Sequence, residues 1–93
     1  MKIMAVCGSG LGSSFMLEMN INGVLKEMGI TDITVEHTDL GSVTPDMADI
    51  FVASLDLADG MRALPELLIL NNIIDKVELK TKLTEMLTKH GKI

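Results

Sequence analysis

Apolar positions change period along this 93-residue chain, and each change marks an element. Residues 2–6 form a short apolar run closed by Cys7-Gly8, the pattern of a buried strand. From about residue 13 to 28 the spacing turns helical. Leu17, Ile21, Val24, Leu25 and Met28 share one face, and Gly29 supplies the stop. Residues 33–38 alternate, Ile33, Val35 and His37 against Thr34, Glu36 and Thr38, which predicts a strand with one wetter face at a sheet edge. Residues 39–49 are too few for a long helix and two loops. Thr44-Pro45, a good N-cap and first helical position, predicts one or two turns near residues 45–48. Ile50-Phe51-Val52-Ala53 reads as a third strand, and residues 55–64 as a weak helix interrupted by Gly60 and closed by Pro65. Leu67-Leu68-Ile69-Leu70 is a fourth strand. A last helix spans about residues 76–90, with Asp75 as its cap, Glu78 completing a capping box and Ile74 with Leu79 as a staple. Its buried stripe is Leu79, Leu83, Met86 and Leu87, and Gly91 ends it.

Strands alternating with helices predict a parallel sheet joined by right-handed crossovers. The simplest arrangement is an α/β fold: a small doubly wound four-stranded sheet, order 2-1-3-4, with helices on both faces. That is a flavodoxin-like, Rossmann-like three-layer sandwich. The chain reverses its direction of travel between strands one and three. Open sheets bind ligands at such a switch point, beyond the carboxyl ends of the strands. Cys7, Asp39, Ser54 and Asn71 all fall at that end.

Composition narrows the functions available. Two Phe and no Trp or Tyr leave an aliphatic core and no stacking surface for single-stranded nucleic acid. The formal charge of −5 also disfavours nucleic acid. Residues 1–75 carry three basic and eleven acidic side chains, and residues 76–93 five and two, which marks the last helix as a solvated basic face. One cysteine suits a reducing cytoplasm. Met1-Lys2-Ile3 leads straight into a strand, so no signal peptide is expected. No apolar run approaches the ~20 residues that span a bilayer, so a membrane link is expected only through a partner.

The candidate chemistry lies in Cys7-Gly8-Ser9-Gly10-Leu11-Gly12-Ser13-Ser14. The segment is no nucleotide P-loop, because Ser13-Ser14 stands where that motif needs Lys and then Ser or Thr. It also misses the dinucleotide fingerprint, whose third glycine falls on Ser13. Glycines allow a loop to turn successive N–H groups inward as an anion-binding nest. The following helix adds the positive end of its dipole, and Ser13 or Ser14 can cap it. Those donors stabilise a thiolate, so the Cys7 pKa is expected below the free value of ~8.5. The same donors would hold a phosphocysteine dianion. A low-molecular-weight cysteine phosphatase needs an arginine six positions after its nucleophile, where this chain has Ser13. With no Arg, Lys or His in the loop, a phosphoryl relay is favoured over hydrolysis. A response-regulator receiver is excluded, because Val6-Cys7 replaces its acidic pair.

Residues 3–14, above all Cys-Gly-x-Gly-x-Gly-Ser-Ser, resemble the loop of the IIB component of the bacterial phosphoenolpyruvate-dependent sugar phosphotransferase system (PTS), ascorbate type. Element order, the Ala53-Ser54 end of strand three and the length agree over nearly the whole chain. The galactitol-type loop differs after Cys-Gly. The resemblance implies one type-2 IIB domain over residues 1–93. It implies that Cys7 accepts phosphate from a histidine of the IIA partner and passes it to the sugar, L-ascorbate by that likeness, as the membrane permease IIC imports it. Gly8, Ser9, Gly10, Leu11, Gly12, Ser13 and Ser14 would form the phosphate loop. No cofactor or metal is implied. The expected protein is a cytoplasmic monomer, held at the inner membrane face through IIC. Ser9, where Asn is frequent, and the variable Leu11 bear on the sugar rather than the chemistry. The alternatives are a small anion-binding or regulatory module of the same fold, or a low-molecular-weight cysteine phosphatase-like protein.

Phe15, Met16 and Met19 flank the buried stripe of the first helix close to Cys7. They are either core margin or an adaptable docking patch for IIA and IIC. His37 and His90 read as surface or strand-edge residues rather than proton shuttles. Asp56 and Asp59 lack the spacing of a magnesium site.

Overall fold

The first strand sits inside the sheet because its residues are apolar on both faces. In the computed structural model, which describes residues 1–7, 13–61, 64, 66–72 and 75–91, the elements follow one another as β1 (Lys2–Cys7), α1 (Ser13–Glu27), β2 (Thr34–Asp39), β3 (Ile50–Ser54), a 3-10 segment (Leu55–Met61), β4 (Leu67–Leu70) and α2 (Lys76–Lys89). All pairings are parallel and the order is β2-β1-β3-β4. The expected α/β sheet and its order are therefore present.

Alternation along the strands divides the core. Ile3, Ala5, Ile50, Val52, Leu68 and Leu70 face α1 and α2, meeting Leu17, Ile21, Val24, Leu25, Leu79, Leu83 and Leu87. Met28 and Met86 pack against this cluster half-buried. Met4, Val6, Phe51 and Ala53 point the other way, toward Met61, with Leu40, Val43, Met47 and Leu57 packed around them. Both α-helices thus cover one face. The second face is covered by the 3-10 segment and residues 40–49, not by an α-helix as the pattern suggested. The leftward step from β1 to β2 crosses the helical face and the two rightward steps cross the other, so all three crossovers share one hand.

The helical turns expected near residues 45–48 are replaced by one turn. Met47 N–H donates to the Thr44 carbonyl (3.1 Å), and the Thr44 hydroxyl donates to Asp46 (2.5 Å), which lowers the Asp46 pKa. The reason is reach. Ten residues must cross the back of β1 and descend a five-residue strand, roughly 17 Å at strand rise. A helix advances too little per residue to do both.

Gly29 and Gly91 adopt φ of 74° and 76°, the left-handed helix endings expected. β2 lies at one edge as predicted, but its burial does not alternate. Val35 and Thr38 are half-buried, and His37 is exposed. Lys2 reaches Glu36 on this strand at 3.5 Å. At the opposite edge the Lys82 ammonium donates to the Ile69 carbonyl of β4 (2.7 Å).

Candidate functional site

Parallel pairing brings the carboxyl ends of the strands to one end of the sheet. Cys7, the last residue of β1, lies in register with Asp39, the last of β2. Ser54 closes β3 in register with Leu70, and Asn71 follows directly. The four residues that the sequence placed together are together. β1 stands between β2 and β3, so Cys7 ends the strand from which the chain departs in both directions, the switch point.

The predicted phosphate loop leaves from this point. Gly8, Ser9, Gly10, Leu11 and Gly12 lie outside the described residues. Ser13 and Ser14 are the first two residues of α1. Five residues are framed by the carboxyl end of an inner strand and the amino end of a 15-residue helix. The helix brings unsatisfied N–H groups and the positive end of its dipole there.

Around this frame the polar groups are mostly engaged. The Asp39 carboxylate accepts the Ser42 N–H (2.8 Å), which turns it toward the turn after β2. The Ser54 hydroxyl donates to the Asp56 carboxylate. The remaining site-side carboxylate is Glu78. It accepts the N–H groups of Asn71 (2.8 Å) and Asn72 (3.0 Å) and meets Lys82 at 2.9 Å. The sequence assigned Glu78 to a capping box. Half of that box forms, because the Asp75 side chain accepts from Val77 and Glu78 N–H. The Glu78 carboxylate instead fastens α2 to the end of β4. An acid at the third helical position signalled a backbone partner, but it could not say which one. Ile74, the proposed staple residue, lies outside the described residues.

Lys82 first, then the Asn71 N–H, pushes the Glu78 pKa from 4.5 down to about 2. Its folded value lies below its unfolded one, so its contribution to stability is complete above about pH 4.5. That contribution is lost as pH falls through about 2. Glu78→Gln should lower the melting temperature at pH 7, with the deficit narrowing between pH 4.5 and 2. Melting curves of both proteins at several pH values check this, and a deficit independent of pH would refute it.

Phe15 and Met16 are each 51% exposed and Met19 is 59% exposed, so these residues are not core. Phe15 stacks on His37 with ring centroids 5.9 Å apart and an interplanar angle of 20°. His37 Nδ1 lies 2.5 Å from Glu18 Oε1. This link between α1 and β2 was missed in the sequence, where the three residues are separated and carry no joint pattern. His90 caps the far end of α2, with Nε2 3.9 Å from Glu66 Oε1. Among the described residues no group of three or more His, Cys, Asp or Glu could hold a metal ion. Among them, too, no helix is long and apolar enough to cross a membrane.

Comparison with known proteins adds to this geometry. A family model described as "PTS system, Lactose/Cellobiose specific IIB subunit" matches residues 2–87. The chain is similar to the ascorbate-specific PTS system EIIB component of Mycoplasma pneumoniae, 29% identical over 91 residues, covering 94% of this chain and 95% of that one. The protein of the same description from Escherichia coli O157:H7 is 29% identical over 93 residues, covering 96% and 91%. A solved structure, the lactose-specific IIB component domain from Streptococcus pneumoniae, superposes with a TM-score of 0.57 at 13% identity, covering 99% of this chain and 95% of that one. At that identity the likeness bears on fold alone.

Proposed function

Because the chain belongs to the lactose/cellobiose-specific IIB family of the sugar phosphotransferase system, we propose that it is a phosphocarrier whose Cys7 relays a phosphoryl group from a IIA histidine to a sugar. The observation that carries the reading is the position of Cys7. It ends an inner strand at the switch point, five residues before the start of α1.

The first step is in-line attack by the Cys7 thiolate on the phosphorus of the donor's phosphohistidine. The S–P bond forms as the P–N bond breaks, and the departing imidazole nitrogen takes up a proton. In the second step a sugar hydroxyl attacks the same phosphorus. The S–P bond breaks, the thiolate returns and the hydroxyl proton goes to solvent. Phosphoryl transfer asks chiefly for positioning and charge neutralisation. Backbone N–H groups of Gly8, Ser9, Gly10, Leu11, Gly12, Ser13 and Ser14 would provide both. No cation in that loop grips a hydrolytic transition state, so the intermediate waits for its acceptor.

Both ascorbate-specific relatives match nearly the whole chain, which supports L-ascorbate as the sugar. In this reading residues 1–93 act as one type-2 IIB domain, a cytoplasmic monomer that meets IIA and then IIC at the inner membrane face. The exposed Phe15, Met16 and Met19 suit a surface that serves two partners in turn.

The test is incubation with phosphoenolpyruvate and the upstream relay proteins, followed by phosphorus NMR. A phosphocysteine resonance at Cys7 is expected. Phosphate on His37 or His90 instead would overturn the mechanism. Uptake of labelled ascorbate in cells with and without the chain tests the sugar.

A further inference from the structure

The buried stripe of α1 begins at Leu17 and continues through Ile21, Val24 and Leu25. The turn before it lacks such an anchor, because Phe15 and Met16 are half exposed. Yet this turn opens five residues after Cys7 and carries N–H groups without helical partners. Helix ends fray unless something holds them.

A link to β2 holds this one. The Phe15 ring stacks on His37, and the Glu18 carboxylate lies 2.5 Å from His37 Nδ1. An ionised carboxylate accepts but cannot donate, which puts the proton on Nδ1 in the neutral and the charged ring alike. His37 is itself fixed by its strand. It stands in register with Ala5, and two positions on, Asp39 stands in register with Cys7. The link therefore joins the first two turns of α1 to the strand that runs beside Cys7. The side chains of His37 and Glu18 are 46% and 24% exposed, so the pair adds little to stability. Its effect is geometric, on where the helix start lies.

We propose that Glu18 and His37, together with Phe15, are positioning residues for the relay. They hold the first turn of α1 against β2, so that its N–H groups stay aimed at the sulfur of Cys7 and at the phosphoryl group it carries. The inference rests on the relay reading and adds the residues that keep its anion site in shape. Loosening the link should weaken the hold on thiolate and phosphate while the fold persists.

Cys7 is the one cysteine of the chain, so the rate of iodoacetamide alkylation against pH titrates that thiol in the full protein. Two pairs of variants are compared, each matched in charge. Glu18→Ala and Glu18→Gln both lose the carboxylate, but the glutamine amide keeps an oxygen to accept from Nδ1. His37→Leu and His37→Asn both lose the imidazole, but the asparagine amide keeps a donor close to the Nδ1 position. Within each pair the variant without the hydrogen bond should titrate about half a unit higher, the scale of a helix-dipole interaction. With phospho-IIA as donor its kcat should be severalfold lower and its KM unchanged. Melting temperatures within each pair should agree to a few degrees. Equal midpoints and equal kcat within both pairs would overturn the proposal. A difference confined to KM would overturn it too, since the link would then be a docking contact. Midpoints that differ as expected in a chain that takes up no phosphate leave the positioning role standing and overturn the relay instead.

Discussion

Cys7→Ser should lower sugar uptake through the system by at least roughly a thousand-fold, about 4 kcal/mol of transition-state stabilisation. Serine keeps the size and the hydrogen bonding but not the nucleophile. The relay reading requires a nucleophile that can ionise, which a thiol can do, whereas an aliphatic hydroxyl stays protonated without a base beside it. The sequence offers none from Gly8 to Ser14. Fold should be untouched, because β1 is held by its pairing with β2 and β3. The decisive comparison is phosphate incorporation and uptake by the variant at unchanged circular dichroism. Uptake at the wild-type level would favour a binding or regulatory module of this fold.

Phe51→Ala should come close to unfolding the protein. Phe51 is fully buried and is the largest side chain of the cluster on the face without α-helices. It stands in register with Met4 on one side and Leu67 on the other. Removing such a ring costs about 3–5 kcal/mol, against a total stability of about 5–15 kcal/mol for a domain. A melting temperature lower by at least about 12 °C follows for a chain of this size. Phe15→Ala is the control. Phe15 is half exposed and gives up chiefly its stack on His37, about 1 kcal/mol. Circular dichroism is the appropriate probe, since the chain has no Trp or Tyr. Equal melting shifts for the two variants would contradict the assigned core.

Period and punctuation revealed most of the architecture. β4 falls on the residues predicted, and the strand order follows from how crossovers pack. These features are local, or are fixed by handedness that every chain shares. What escaped depended on tertiary distance. Residues 40–49 carry a good helix start at Thr44-Pro45, but the span they must bridge leaves room only for isolated turns. Glu78 sits where a capping box is written, yet two amides at the end of β4 compete for its oxygens and win. At the site, the sequence singles out the cysteine and the glycine-rich segment after it, and the structure places Cys7 at the end of β1. The sequence left Phe15, Met16 and Met19 open, because a residue flanking an apolar stripe turns inward or outward according to its neighbours.

The Lys82 ammonium on the Ile69 carbonyl bears on how this protein behaves in a crowd. Bare sheet rims recruit further copies of a chain into fibrils. Here a fixed cation occupies an outward acceptor on one rim, while the Lys2–Glu36 pair and His37 deter the other.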